Sequence, residues 1–229
     1  MYYDFHAHLE EFGAADLNEL RSGNVKVIAN AVDMGSYNFA LKEQKKNQNV
    51  HKVFIGIHPD RASGSRTEIM CNYIKNNPVD GIGEIGIDAK YGKVDVQKQV
   101  FSAFLDVAQE KKLPIAVHSR NSIVDILEIL KDYRLKVMLH WFSGNKKQHS
   151  EAIQRGYFIG VTPAHTGKEK WIIGATPAEQ LLLETDSPVF GRRPRDIPKL
   201  ARKVSVIRGI ELEEFIKQQG KNAIKFLGK

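Results

Sequence analysis

Short apolar runs alternate along the chain with longer stretches whose apolar residues recur every three or four positions. The clearest helical stretch is 94–111, where Val100, Phe101, Phe104 and Leu105 fall on one side of a helix, as expected for a face that packs on the core. After a first strand around residues 4–9, the pattern predicts strands at 25–31, 50–57, 81–87, 115–118, 135–142, 157–161 and 181–185. It predicts helices at 14–21, 36–46 (with Ser36 as N-cap), 68–76, 94–111, 123–132, 147–155, 168–174, 197–207 and 212–227.

Eight predicted strands that alternate with helices are typical of successive βα units. Apolar strands covered on both faces favour a parallel sheet, and eight of them favour a closed barrel. We therefore predict an α/β fold, a (β/α)8 TIM barrel of the metal-dependent hydrolase type. An open doubly wound sheet is the alternative, and it requires that strands 25–31 and 157–161 be misassigned. No linker or shift in composition divides the chain, so we expect a single domain over residues 1–229.

Composition limits the compartment and the partners. The net charge of +7 is compatible with an anionic substrate such as nucleic acid, although lysine-rich helix surfaces are often only solvated. No run approaches the ~18 apolar residues of a membrane span, and the N-terminus does not resemble a secretory signal. Cys71 is the only cysteine, which excludes an internal disulfide and predicts a small apolar residue on a helix. We expect a cytoplasmic protein with no membrane association and no obligate protein partner.

Titratable side chains lie where the predicted strands end. His6 and His8, separated by one residue, are expected on one face of a strand together with Asp4. Histidines or carboxylates end five further strands: His58, Glu84 with Asp88, His118, His140, and Glu184 with Asp186. The carboxyl ends of barrel strands converge on one mouth, where the catalytic groups of such enzymes are found.

Imidazole nitrogens and carboxylate oxygens together suit divalent ions such as Zn²⁺, Mn²⁺, Co²⁺ or Mg²⁺. Four histidines and two carboxylates exceed the needs of one catalytic ion, whereas a pair of ions bridged by a carboxylate uses them all. The residues therefore predict metal-assisted hydrolysis.

Six motifs in this order carry a resemblance to a known family. They are Asp4-Phe5-His6-Ala7-His8-Leu9, Gly56-Ile57-His58-Pro59, Ile82-Gly83-Glu84-Ile85-Gly86-Ile87-Asp88, His118-Ser119-Arg120, His140-Trp141-Phe142-Ser143-Gly144 and Glu184-Thr185-Asp186-Ser187-Pro188. Together they resemble the TatD family of metal-dependent deoxyribonucleases, within the amidohydrolase-like barrels. The resemblance runs from Asp4 to about Asn222.

The resemblance implies two divalent ions (Mg²⁺, Mn²⁺ or Zn²⁺) and a role for each motif residue. His6 and His8 would bind the first ion, and Glu84 would bridge it to the second. His118 and His140 would complete the second site. Asp186 would bind the first ion and accept a proton from the attacking water, so Glu84 and Asp186 are the predicted catalytic residues. The implied activity is hydrolysis of DNA phosphodiesters, often from the 3′ end.

Other residues near the predicted mouth receive lesser roles. His58, Arg120, Lys90 and Arg192 are predicted substrate contacts, because arginine presents a planar fork to phosphate oxygens and all four follow strand ends. Lys93, Arg193 and Arg195 would ring the same mouth or lie on solvated loops. We expect Asp4 and Glu184 to be buried hydrogen-bond partners of the site and Asp88 to orient a loop. Glycines 83 and 86 are expected to permit close backbone approach, and His51, His149 and His165 to be surface residues.

The chain departs from the family pattern at three places. Trp141 stands where a small residue is usual, residues 89–93 lack the usual aromatic pair with Arg, and the loops near Arg192 are short. These departures concern substrate choice and leave metal binding intact. Two alternatives therefore stay open: a two-metal barrel that hydrolyses a small ester, lactone or amide, and a non-catalytic barrel that only binds metal or nucleic acid.

Overall fold

The computed structural model describes residues 1–228. The strands are β1 (Tyr2–Ala7), β2 (Val25–Asn30), β3 (Val50–Ile55), β4 (Gly81–Gly86), β5 (Ile115–His118), β6 (Val137–Leu139), β7 (Phe158–Val161) and β8 (Leu181–Leu183). The helices are α1 (Ala14–Ser22), α2 (Met34–Lys46), α3 (Gly64–Asn76), α4 (Val94–Lys111), α5 (Ile123–Leu130), α6 (Lys146–Gln154), α7 (Lys170–Ala175), α8 (Ile197–Arg208) and α9 (Leu212–Leu227). Within residues 1–228, none of these helices is both long and apolar enough to cross a membrane.

The strands form one parallel sheet in the order β1 to β8. The residues that follow β8 return to β1: the His8 N–H donates to the Ser187 carbonyl oxygen (2.8 Å), and the Asp186 N–H donates to the His6 carbonyl oxygen (2.9 Å). These bonds join the last strand to the first. The predicted (β/α)8 TIM barrel is confirmed, and the open doubly wound alternative is wrong.

Element boundaries differ from the predictions mainly where the chain leaves a strand or enters a helix. β6 covers Val137–Leu139 instead of 135–142, so His140 lies just beyond the strand. Helix α2 begins at Met34, and its N-cap is Asp33 rather than Ser36. The Ser36 N–H donates to Asp33 Oδ1 (2.9 Å), and the Asp33 N–H donates to Ser36 Oγ (3.0 Å). Ser36 therefore forms the second half of a capping box, which satisfies two otherwise unpaired backbone donors.

Two apolar layers stabilise the barrel. The larger layer lies between the sheet and the helices, and includes the predicted inner face of α4. A second cluster, which we call the floor, fills the barrel interior and consists of Phe5, Ile28, Phe54, Ala116, Met138, Phe158, Leu182, Ala223 and Phe226. Helix α9 covers the amino-terminal end of the barrel, where the Gln219 and Asn222 side chains donate to the Leu181 carbonyl oxygen at the start of β8. The interior is therefore closed at one end and polar at the other.

Strand β1 does not alternate simply between its two faces. The pairing of β1 with β2 shifts register between Asp4 and Ala7. As a result Phe5 joins the floor while its sequence neighbour His6 faces the polar end of the same interior. The expectation that His6 and His8 share one face is confirmed, since their Nε2 atoms lie 3.3 Å apart. It is wrong for Asp4, which bonds to Thr185 instead, because an irregularity of this kind changes the side-chain direction along a strand.

Candidate metal centre and barrel mouth

A cavity of about 550 Å³ opens at the carboxyl ends of the strands. We call this cavity the mouth. It is lined by His8, Glu11, Val32, His58, Asp60, Arg61, Glu84, Asp88, Tyr91, His118, Ser119, Arg120, His140, Trp141, Ser143, Asp186, Val189 and Phe190. Five of the six predicted metal ligands line it, and the sixth, His6, lies fully buried against Glu84.

The first predicted ion site is compact. The Nε2 atoms of His6 and His8 lie 3.3 Å apart. Asp186 Oδ1 lies 3.8 Å from His6 Nε2 and 3.4 Å from His8 Nε2. One possible ligand atom from each of these three side chains lies within 4.8 Å of the other two, which is close enough for all three to bind the same ion. Asp186 is 180 residues from His6 in the sequence, and the closure of the barrel between β1 and β8 brings it to the histidine pair.

Glu84 lies between two sets of histidines. Its Oε2 atom is 3.2 Å from His6 Nε2, while its Oε1 atom is 2.6 Å from His118 Nδ1. Oε1 also lies 3.9 Å from His140 Nε2 and 4.0 Å from His58 Nε2. Each oxygen of this carboxylate thus faces a different set of nitrogen donors, which is the arrangement that a bridging ligand requires.

Two of the histidines have their outer ring nitrogen fixed by a hydrogen-bond acceptor. His8 Nδ1–H donates to the Asn30 carbonyl oxygen (3.0 Å), and His140 Nδ1–H donates to Glu184 Oε2 (2.8 Å). Because a carbonyl oxygen can only accept, Nδ1 of His8 carries a proton, and Nε2 is the ring atom turned toward the centre. The other oxygen of Glu184 accepts the Trp141 N–H (2.6 Å). Glu184 is therefore the buried hydrogen-bond partner that the sequence predicted.

His118 and His58 are held in the same manner by carboxylates. His118 Nε2 lies 3.1 Å from Asp88 Oδ2, and His58 Nδ1 lies 2.6 Å from Asp60 Oδ1. His58 is thereby turned with Nε2 toward Glu84, and together with Glu84 and His118 it forms a further group with metal-ligand spacing. Asp88, expected to orient a loop, orients His118 and also accepts the Lys90 N–H (2.9 Å).

Electrostatics in this cluster favour ionised carboxylates. Burial alone would raise the pKa of Glu84, but the surrounding His6, His58 and His118 outweigh it and hold that pKa well below its usual value. Burial would likewise lower the pKa of His140, yet the charges of Glu184 and Asp186 raise it to about 10. The negative potential that favours a proton on His140 would equally favour a divalent cation among the same groups.

The residues present fit divalent ions. Imidazole nitrogens and carboxylate oxygens converge from β1, β4, β5 and the segments after β6 and β8, and several rings are already turned with one nitrogen toward the centre. Such a nitrogen and oxygen donor set suits Zn²⁺, Mn²⁺ or Co²⁺, and its carboxylates also suit Mg²⁺.

Two glycines make room for this arrangement. Gly86 has φ +147°, and a Cβ there would lie 2.0 Å from the His118 carbonyl oxygen, so the predicted close backbone approach is confirmed. Gly160 in β7 was not singled out by its sequence. A Cβ at Gly160 would lie 2.5 Å from Glu184 Oε1, so the absence of a side chain allows Glu184 to occupy the barrel interior.

The predicted substrate contacts occupy different positions. His58 and Arg120 line the mouth, and the Arg120 side chain is 47% exposed with Nε 3.4 Å from Asp88 Oδ2. Lys90 is exposed, and its neighbour Tyr91 lines the mouth instead. The Arg192 guanidinium lies 4.4 Å from the Trp141 ring centroid, beside the mouth.

The neighbouring arginines turn away from the centre. Arg193 Nε lies 2.6 Å from Asp16 Oδ1, and Arg195 lies 2.6 Å from Glu19 Oε2, so both bind carboxylates of α1. This division could not be predicted from sequence, because Arg192, Arg193 and Arg195 all follow the same strand within a span of four residues.

Several buried polar residues were missed or misjudged. Asn30 orients His8 through its carbonyl oxygen, and Asp4 accepts bonds from the Thr185 N–H (2.8 Å) and hydroxyl (2.5 Å). Asp4 is thus a buried hydrogen-bond partner, as predicted. The expectation that His149 and His165 are surface residues is wrong. His165 is fully buried, with Nε2 donating to the Phe142 carbonyl oxygen (2.8 Å), and His149 lies 2.8 Å from Thr176 Oγ1. His51 lies on β3 and is half-buried.

Cys71 fits its predicted role, since it is buried on α3, and burial raises the pKa of its thiol to about 11. A thiol with this pKa is protonated at neutral pH and is a poor nucleophile.

Comparisons with known proteins agree with this geometry. A family model described as TatD related DNase matches residues 3–228. An uncharacterized metal-dependent hydrolase of Methanocaldococcus jannaschii is 29% identical, with 98% of this chain and 96% of that protein covered. The 3′-5′ ssDNA/RNA exonuclease TatD of Erwinia tasmaniensis is 30% identical over 73% of this chain and 74% of that protein. The crystal structure of YjjV, a TatD homolog from Escherichia coli, superposes with a TM-score of 0.89 at 25% identity and covers 100% of this chain and 98% of that one.

Proposed function

Because this chain belongs to the TatD related DNase family, we propose that it hydrolyses DNA phosphodiester bonds at the barrel mouth with two divalent ions as cofactors. The resemblance carried by the six motifs is confirmed at the level of the family, and so is the class of enzyme, a metal-dependent hydrolase. The observation that carries the proposal is Glu84, whose two oxygens face separate sets of histidines.

The proposed ligands divide at Glu84. His6, His8 and Asp186 form one group with metal-ligand spacing and would hold one ion. His118 and His140 would hold the other, as the resemblance implies, and Glu84, whose Oε1 faces both of these histidines, would contact both ions. In the structure His140 is also grouped with His6 and Glu84. Two such ions lower the pKa of a water molecule and polarise the phosphoryl oxygens of an in-line displacement.

The position and the pKa of Asp186 support its proposed role as general base. Its carboxylate is nearly buried at the edge of the mouth, and its Oδ1 lies 3.4 Å from His8 Nε2 and 3.6 Å from His140 Nε2. Burial would raise the pKa of Asp186, but the charge of His140 and the hydrogen bond from His8 hold it below its usual range. Asp186 is therefore ionised at neutral pH and can accept the proton of the attacking water.

Two arginines stand among the carboxylates of the mouth, and they favour a phosphodiester over a neutral ester as substrate. Arg61 and Arg120 both line the mouth, their side chains are 44% and 47% exposed, and they pair with Asp33 and Asp88, respectively. Such groups can bind phosphate oxygens on either side of the scissile bond. Cleavage from the 3′ end is proposed by analogy with the similar Erwinia protein, whose name states that polarity.

The test uses the full chain, freed of metal by chelation and reloaded with Mg²⁺, Mn²⁺ or Zn²⁺. It is incubated with labelled single- and double-stranded DNA and with a panel of small esters and lactones. We expect Glu84→Gln to reduce DNA cleavage about a thousandfold or more, because the charge stabilisation that metals supply is worth several kcal/mol. Glu179→Gln, the same change at an exposed position, is the control and should cleave at the original rate.

The outcomes separate the alternatives. If DNA survives while an ester is cleaved in a Glu84-dependent manner, the substrate proposal is wrong. A 5′-labelled oligonucleotide tests polarity, since attack from the 3′ end gives a ladder that shortens one nucleotide at a time. Binding of the metal is measured separately from activity: saturating ion should raise the melting temperature of the original protein, and Glu84→Gln should lose most of that rise.

A further inference from the structure

Three side chains form a corner beside the mouth that the metal chemistry does not use. The Trp141 and Phe190 rings are 5.9 Å apart at 73°, so they stand nearly perpendicular to each other. The Arg192 guanidinium lies 4.4 Å from the Trp141 centroid and 5.3 Å from the Phe190 centroid. We call Trp141, Phe190 and Arg192 the aromatic corner.

The aromatic corner is held in an exposed position. Phe190 is 80% exposed, although a large apolar side chain is ordinarily buried. Trp141 and Phe190 both have left-handed backbone conformations, with φ +39° and +54°, which are uncommon for bulky residues. The backbone N–H of Trp141 donates to Glu184 Oε1 (2.6 Å), and the Arg192 guanidinium donates to the Thr185 carbonyl oxygen (3.3 Å). These contacts fix the Trp141 backbone and the Arg192 guanidinium, and the two rings lie next to the mouth rather than in the core.

The corner directly adjoins the proposed metal centre. The Trp141 ring centroid lies 6.4 Å from that of His140, and both Trp141 and Phe190 line the mouth with Arg61 and Arg120. A ligand that places a phosphate at the metal centre would therefore have its neighbouring group against an aromatic surface. In a nucleic acid that neighbouring group is a sugar carrying a base.

We propose that the aromatic corner stacks an unpaired nucleobase next to the scissile phosphodiester, so that Trp141 and Phe190 are substrate-positioning residues selective for single strands. The inference rests on the proposed function. Every base presents a π-face to an aromatic ring whatever its sequence, whereas the faces of paired bases inside a duplex are covered by their neighbours. Arg192 lies over one face of Trp141 and, at a longer distance, over one face of Phe190, which leaves the opposite faces available to a base.

The kinetic test combines a variant with a modified substrate. Single-stranded oligonucleotides carry either normal bases or one abasic residue at the first or second nucleotide from the cleaved end. We expect Trp141→Leu and Phe190→Ala to lower kcat/KM on the normal strand by about 5- to 100-fold, the range of base-stacking losses. Trp171→Leu removes the other tryptophan, which packs on His149 away from the mouth, and should leave kcat/KM unchanged.

The abasic residue should reproduce the loss in the original enzyme, and Trp141→Leu should then add no further loss on that substrate. If the two losses multiply instead, or if Trp141→Leu slows both substrates equally, Trp141 has only a structural role and the inference is overturned. Unchanged kcat/KM on the normal strand overturns it as well. Thermal melting verifies that each variant is folded.

A binding test separates this inference from the proposed function. In a Glu84→Gln, Trp171→Leu double variant, Trp141 is the only tryptophan, and its fluorescence reports contact with a base. A short oligothymidylate should quench this fluorescence, and a fully abasic strand of equal length and charge should not. Equal quenching by both, or none by either, overturns the stacking inference. If the oligothymidylate quenches the fluorescence of the double variant but the original protein does not cleave DNA, the stacking inference stands and the proposed nuclease activity is wrong.

Discussion

The two ends of the barrel interior use the same strands for opposite purposes. At the floor, the strands contribute apolar side chains such as Phe5, Phe54 and Phe158, which pack around Phe226 from α9. At the mouth, β1 contributes His6, one residue after Phe5, and β5 contributes His118, two residues after Ala116 of the floor. The change from an apolar interior to a cluster of ionisable groups therefore occurs within one or two residues along these strands.

The difference lies in what fixes each side chain. Floor residues are held by shape and by their burial away from water, which any well-fitting apolar neighbours can provide. Mouth residues are held by specific partners: Asn30 for His8, Asp88 for His118 and Glu184 for His140. The floor should therefore determine stability and the mouth should determine metal binding, and substitutions can test whether the two properties separate.

The largest stability effect is expected at Phe226. Its ring is fully buried, with centroids 5.3 Å from Phe158 and 6.1 Å from Phe54. Phe226→Ala would leave a cavity in the floor and lower the free energy of unfolding by about 3–5 kcal/mol. Urea denaturation measures the loss. Ile224→Ala, at a 68% exposed position of the same helix, should change stability by less than about 0.5 kcal/mol.

The metal affinity of folded Phe226→Ala should match that of the original protein. If Phe226→Ala instead kept the stability of the original protein but bound metal more weakly, the division between floor and mouth would be contradicted.

Glu184→Gln perturbs the mouth instead of the floor. Gln still fits the space, but it cannot match the charge-assisted hydrogen bond that the carboxylate makes with His140 Nδ1 (2.8 Å). Loss of such an orienting partner ordinarily reduces metal affinity about 10- to 100-fold. Both oxygens of Glu184 accept from buried donors and Gln has only one acceptor oxygen, so a loss of about 1–3 kcal/mol in the free energy of unfolding is also expected. Isothermal titration of the metal-free protein with Zn²⁺ or Mn²⁺ measures the affinity. Equal affinity in the variant would show that His140 needs no such support.

Gly160 offers a steric way to disturb the same partner. An added Cβ would lie 2.5 Å from Glu184 Oε1 and 2.9 Å from its Cδ, so Gly160→Ala must displace this buried carboxylate. We expect a destabilisation of about 1–3 kcal/mol together with weaker metal binding. The matched control is Gly174→Ala in α7, where a Cβ meets nothing within 4 Å. That change should be neutral or stabilising, because alanine favours a helix over glycine.

Prediction from sequence succeeded where one periodicity or one motif carried the information. The strands and helices follow from hydrophobic patterns, and the end-of-strand histidines and carboxylates point to the mouth once a barrel is assumed. Prediction was wrong where a distant partner decides the outcome. His165 is polar and was therefore expected to be exposed. It is buried because its Nε2–H donates to the carbonyl oxygen of Phe142, 23 residues earlier in the chain. Similarly, the register shift in β1 depends on pairing with β2, so alternation within β1 cannot reveal it.

The smallest effect on stability is expected at the arginines after β8, which could not be told apart by sequence. Arg193 is 24% exposed and bonds to Asp16 on α1, whereas Arg192 lies against Trp141 at the mouth. Arg193→Gln should therefore lower the free energy of unfolding by only about 0.2–1 kcal/mol, as is typical of ion pairs open to solvent, and the loss should shrink at high salt. Urea denaturation at two ionic strengths measures it. Because Asp16 lies on α1 and not at the mouth, DNA cleavage by this variant should match the original rate. A marked fall in cleavage with unchanged stability would instead extend the functional surface of the mouth beyond Arg192 onto the side of the barrel.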